Sequence, residues 1–95
     1  MADVKEVRFS KRASRRLNEI ADYYFDEGGS RLAEDALQTL VSAAERLGAL
    51  PVIYRTAARA GLHEYVVERF PYLLLYRVTS RRIDIVGILH QRENR

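Results

Sequence analysis

The sequence predicts an α+β domain. Two apolar runs of strand length, Phe70 to Val78 and Ile83 to Leu89, are split by the polar stretch Thr79-Ser80-Arg81-Arg82, which reads as a hairpin. Two patterns of helical period lie upstream, broken by Gly28-Gly29. The order strand, helix, helix, three strands does not alternate, and elements segregated in this way put the helices on one face of a sheet. All 95 residues, 1–95, fit a single domain.

Taken in order, Val4 to Phe9 alternates, with Val7 and Phe9 on one side and Glu6 and Arg8 on the other, as a first strand does. Ser10 is placed to cap the next helix, since its hydroxyl can accept a free amide of the first turn. Ala13, Leu17, Ile20, Ala21 and Tyr24 then form an apolar stripe, with Lys11, Arg12, Arg15 and Arg16 outside it. Gly28-Gly29 stops this helix, because glycine tolerates the left-handed conformation at a helix end. Ser30 is expected to cap a second helix whose apolar face comprises Leu32, Ala33, Ala36, Leu37, Leu40, Val41, Ala44 and Leu47, ended by Gly48 and Pro51. A link of two or three residues makes the pair an antiparallel helical hairpin.

Pro51 to Gly61, with Arg55 and Arg59 among small residues, reads as a loop, and Leu62 to Glu68 as a second strand. The third and fourth strands, Phe70 to Val78 and Ile83 to Leu89, carry apolar residues on both faces, as strands at the centre of a sheet do. The fourth ends in polar groups: His90, Gln91, Arg92, Glu93, Asn94 and Arg95.

Composition narrows the classes of function. Apolar residues make up 47% of the chain, enough for a packed core and too many for a disordered segment. The absence of cysteine excludes disulfides and thiolate metal sites. No apolar stretch approaches the roughly 20 residues of a membrane helix, and Met1 to Arg8 lacks the apolar core of a signal peptide. A cytoplasmic protein is the simplest expectation. Sixteen Lys and Arg against 13 Asp and Glu give a net charge of +3, which suits an acidic partner without requiring one.

His90, Arg92 and Glu93 are the best candidates for chemistry: histidine exchanges a proton near neutrality, and arginine offers a fork of donors to phosphate. The same residues also fit a strand end fraying into a charged tail. The basic face of the first helix is either a solvated surface or a steering surface for acidic partners. Tyr23, Tyr24 and Phe25 cannot all face the core at helical geometry, so at least one is exposed or covered by a partner. The two histidines, His63 and His90, lie on different strands with no carboxylates at metal spacing, so no metal is expected. No phosphate-cradling glycine loop and no nucleophile elbow is present, and no cofactor is expected.

Against this background the chain resembles the RelE/ParE family of toxins from type II toxin–antitoxin modules, over nearly its whole length. The specific part is Phe70-Pro71-Tyr72-Leu73-Leu74-Leu75-Tyr76-Arg77-Val78 followed by Ile83 and the run Ile85 to His90. Val7-Arg8-Phe9-Ser10, the Tyr23-Tyr24 pair and the second helix from Ala33 to Leu47 match less specifically. The resemblance implies a helical hairpin packed on one twisted sheet, with an N-terminal strand and a three-stranded antiparallel meander. It implies as partner a cognate antitoxin, ParD-like or another small antitoxin, received in part by Arg12, Arg16, Tyr23 and Tyr24.

Within the family, the ParE-like branch is favoured, implying inhibition of DNA gyrase by direct contact, a role in plasmid stabilisation, and no sequence-specific DNA binding by the toxin alone. His90, Arg92, Glu93, Arg55 and His63 would then form the effector surface. The alternative is a ribosome-dependent mRNA endoribonuclease using Arg92, His90 and Arg69; an inactive relative that only binds antitoxin is a third reading. Two departures weigh against the nuclease. Arg55 and Arg59 replace its lysine cluster, and the tyrosine of its further C-terminal helix has no counterpart before Arg95. The chain also departs from the ParE pattern, with Tyr54-Arg55 where Gly-Arg is common and His63 where an arginine usually follows Gly-Leu.

Overall fold

A computed structural model describes residues 5–49 and 61–94, with backbone only at 93 and 94. Val4, Pro51, Tyr54, Arg55, Arg59 and Arg95, all used in the sequence reading, lie outside the described residues. The elements run β1 (Glu6–Phe9), α1 (Lys11–Gly28), α2 (Ser30–Ala49), β2 (His63–Val66), β3 (Tyr72–Val78), β4 (Arg82–His90) and a 3₁₀ turn at Gln91–Asn94. This is the α+β arrangement the sequence predicts.

The sheet has the order β1-β4-β3-β2. The three C-terminal strands form the expected antiparallel meander. β1 joins it on the β4 side as a parallel strand, with Val7 opposite Ile83 and Phe9 opposite Ile85. β3 and β4 are therefore the two central strands, as their apolar runs require.

Ser10 caps α1 as expected: its hydroxyl accepts from the amide of Ala13 at 3.0 Å. Ser30, expected as the second cap, is instead the first residue of α2. A single residue, Gly29, joins the helices, with φ at 87° and its amide donating to the Phe25 carbonyl at 2.7 Å. Gly48, expected to end α2, lies inside it and is buried. A Cβ there would come within 2.5 Å of the Lys5 carbonyl oxygen and 2.8 Å of Val7, so glycine is what lets α2 close onto the start of β1. The Lys5 amide donates to the Gly48 carbonyl across this contact at 2.9 Å.

Both helices cover one sheet face. The core comprises Ala13 and Ile20 of α1, Ala36, Leu40, Ala44 and Leu47 of α2, and Leu74, Tyr76, Ile83, Ile85 and Ile88 of the sheet. Alanines on α2 let the helices approach closely. Leu37 and Val41, expected on that face, are only half-buried, and Ala43 takes a core position instead. β2 is shorter than the expected Leu62 to Glu68, and β3 starts at Tyr72 rather than Phe70. Pro71 lacks the amide that would continue the ladder, and a tight turn from the Tyr72 amide to the Phe70 carbonyl precedes the strand.

β4 carries one extra residue. Leu75 pairs with Gly87 and Tyr76 with Ile85, leaving Val86 as a bulge. Strict alternation from Ile83 and Ile85 would send Gly87 and Leu89 to the helices and His90 away from them. The bulge reverses the phase, so Ile88 pairs with Leu74 and His90 with Tyr72 on the helix side.

Candidate functional site

The bulge builds the site, because it brings His90 to the side of the sheet where α1 lies. β1 stops pairing at Ile85, and beyond it the edge of β4 faces α1. The Ser10 hydroxyl meets the Val86 carbonyl at 3.5 Å, and Arg16 donates from Nε to the Ile88 carbonyl at 3.3 Å. The second arm of the Arg16 guanidinium reaches Glu19 at 3.5 Å. Arg16 thereby ties the middle of α1 to the strand edge and divides two hollows.

On one side lies a cleft of about 630 Å³, lined among others by Arg16, Tyr23, Tyr24, Glu27, Tyr72 and His90. Its aromatic rings meet edge to face: Tyr23 on Tyr24 at 5.0 Å, Tyr24 on Tyr72 at 6.4 Å and Tyr72 on His90 at 5.4 Å. Burial first, and the hydrogen bond with Tyr24 second, push the Tyr72 hydroxyl pKa well above the usual tyrosine value. His90 Nδ1 accepts the backbone amide of Arg92 at 3.2 Å. The 3₁₀ turn carrying Arg92 is pinned further by the Gln91 amide donating to the Pro71 carbonyl at 2.8 Å.

On the other side lies a groove whose wall is Arg12, Arg15, Arg16 and Glu19 of α1 and whose floor includes Leu75, Arg77 and Leu89 of the far sheet face. Arg12 and Arg15 are exposed. This groove joins a basic rim to apolar floor, a combination suited to a segment bearing both acidic and apolar side chains.

Of the residues singled out from sequence, His90, Arg16, Tyr23 and Tyr24 meet in the tyrosine cleft, and Arg12 meets Arg16 in the groove. Tyr24 packs against the core while Tyr23 and Phe25 are each 55% exposed, which resolves the crowding at the end of α1. Arg92 is exposed on the 3₁₀ turn; the Glu93 side chain and Arg55 lie outside the described residues.

His63 stacks on Tyr76 at 5.3 Å, and its buried Nδ1 has no hydrogen-bond partner among the described residues. It is separated from His90 by the four residue steps from Tyr72 to Tyr76, roughly 13 Å along the strand. Arg69 is turned to α2, where it pairs with Asp35 and lies over the Phe70 ring, in a hollow shared with Thr39 and Arg46. Sequence reasoning missed Tyr72, Glu27 and Arg77. Tyr72 read only as part of a hydrophobic run, and the bulge that pairs it with His90 has Gly87 as its sole local signal.

Among the described residues no cluster of His, Asp or Glu is able to hold a metal ion, and no helix is long and apolar enough to cross a membrane.

The family model described as "ParE toxin of type II toxin-antitoxin system, parDE" matches residues 7–95. A protein of Sinorhizobium fredii (strain NBRC 101917 / NGR234) bearing the name "Putative toxin Y4kP" is 29% identical over 86 residues, 90% of this chain and 88% of its own length. A solved chain from a structure described as "Chromosomal ParDE TA system from P. aeruginosa" has the same fold at a TM-score of 0.84. It is 23% identical, with 94% of this chain and 98% of that one covered.

Proposed function

This chain belongs to the ParE toxin family of type II toxin–antitoxin systems, and on that premise we infer that it arrests growth by binding DNA gyrase directly, without chemistry of its own, and is silenced by a cognate ParD-like antitoxin. The target would be met in the cytoplasm.

The observation that carries the choice against a nuclease is that Arg69 stands apart from His90 and Arg92. A ribonuclease needs an acid or base and phosphate-holding cations around one reacting centre. Here Arg69 is committed to Asp35 on α2, and His90 lines the tyrosine cleft with Nδ1 occupied by the Arg92 amide. The exposed Arg92 and the pinned C-terminal turn suit a contact surface better than a catalytic one. The antitoxin reading draws support from the basic face of α1 and from Tyr23, since a rim of arginines beside exposed aromatic surface suits an acidic, partly apolar segment.

The test in cells is controlled expression of the chain with DNA and protein synthesis followed by pulse labelling. The gyrase reading expects DNA synthesis to fall before protein synthesis, and expects co-expressed antitoxin to restore growth. Protein synthesis falling first favours the ribosome-dependent nuclease. Growth without arrest identifies an inactive relative.

A further inference from the structure

The charges of α1 run against the helix's own dipole. Its four cations, Lys11, Arg12, Arg15 and Arg16, precede its four anions, Glu19, Asp22, Asp26 and Glu27, so that the first turn holds no acid and the last turn no base. Helix N-termini favour acids and C-termini favour bases. The observed order therefore weakens the isolated helix, and only the bonds of Arg16 to the Ile88 carbonyl and to Glu19 give part of it a structural role. The order matches the two hollows at their ends: Arg12 and Arg15 border only the arginine groove, Glu27 borders only the tyrosine cleft, and the Arg16–Glu19 pair lies between them and lines both.

The cleft is the less obvious of the two. Glu19, Tyr23 and Glu27 lie on one i, i+4 row of α1, so both carboxylates flank the same exposed ring. Arg16 offsets Glu19 and is held by the Ile88 carbonyl, whereas Glu27 is exposed at the rim. The exposed Tyr23 ring and the half-buried Tyr24 ring add π faces, which carry negative potential. An acidic segment that suits the arginine groove is disfavoured here.

We propose that the tyrosine cleft receives a cationic side chain, lysine or arginine, from the same partner segment whose acidic residues lie on the arginine groove. The identity of that partner as an antitoxin rests on the function proposed above; the preference of the cleft for a cation does not. Arg15 and Glu27 are twelve positions apart, about 18 Å along the helix. The partner's cation thus stands about 12 residues from its acidic block if the segment is helical, or about five to six if it is extended.

The preference is tested on the purified full chain by NMR of its tyrosine rings, titrated separately with N-acetyl-arginine amide and N-acetyl-leucine amide. The arginine probe shifts the Tyr23, Tyr24 and Tyr72 rings, and the shift weakens severalfold in Glu27→Gln and in Tyr23→Ala, both at exposed positions that leave the core intact. Equal shifts from the leucine probe, or an arginine response unchanged in both variants, overturn the proposal.

A second titration uses an extended peptide with an acidic Glu block and a single Arg about six residues beyond it. It binds about tenfold more tightly than the same peptide with Gln in place of Arg. Equal binding shows that the two hollows are not read together and also overturns the proposal. Neither titration contains gyrase, so failure here leaves the gyrase reading intact, and failure of that reading leaves these results intact.

Discussion

His90 stands edge-on to Tyr72, with 5.4 Å between ring centroids and 80° between ring planes. The contact exists because Val86 is an extra residue in β4, which turns His90 to the helix side of the sheet opposite its cross-strand partner. A single backbone irregularity thus places the histidine inside the cleft while the Arg92 amide holds its Nδ1. Replacing His90 by alanine is expected to loosen the C-terminal turn and weaken gyrase inhibition, as is Arg92→Ala, with the two losses less than additive because His90 holds the backbone amide of Arg92, so that losing it already displaces the Arg92 side chain. Inhibition curves for the two single variants and the double variant check this.

Tyr72 predicts an alkaline dependence. Its folded-state pKa lies above the ordinary tyrosine value of 10.0, chiefly through burial. Below pH 10 the residue is neutral in both states and contributes no slope. As pH rises above 10 the unfolded chain releases this proton and the folded one retains it, so stability falls. Tyr72→Phe is expected to cost about 1 kcal/mol at neutral pH through the lost hydrogen bond to Tyr24. The same change makes stability fall less between pH 9 and about 11, as read by chemical denaturation.

Gly48→Ala is expected to destabilise the domain by about 1–3 kcal/mol. Its Cβ would strike a backbone oxygen, Lys5 O, which cannot swing away as a side-chain end does. Thermal or urea unfolding measures the loss, and Gly29→Ala, which meets no atom within 4 Å, separates packing from backbone strain.

Leu74 and Arg69 separate the core from the surface. Leu74 is fully buried, and Leu74→Ala is expected to cost about 2–5 kcal/mol. Arg69 pairs with Asp35 in solvent, and Arg69→Ala is expected to cost less than about 1 kcal/mol. It should leave gyrase inhibition unchanged. A large loss of toxicity in a stably folded Arg69→Ala protein would favour the nuclease reading.

Much of this architecture was legible because it follows from local chemistry. Ser10 caps α1 through its own hydroxyl, Gly28-Gly29 breaks the helices where a positive φ is needed, and the doubly apolar hairpin marks the two central strands. What escaped depends on contacts distant in sequence. The parallel pairing of β1 with β4 joins residues more than seventy positions apart, and Arg69 meets Asp35 across thirty-four. Gly48 looked like a helix end because its role lies in the approach of β1. The tyrosine cleft was half legible: Tyr23, Tyr24 and His90 stood out as residue types, but Tyr72 joined them only through the Val86 bulge.

The most direct test is to titrate the purified chain into a DNA gyrase supercoiling assay, with mRNA cleavage on translating ribosomes measured in parallel. Dose-dependent loss of supercoiling with intact mRNA, reversed by the cognate antitoxin, is the predicted result. Ribosome-dependent mRNA cuts with supercoiling untouched would contradict the account and make His90 and Arg92 catalytic candidates.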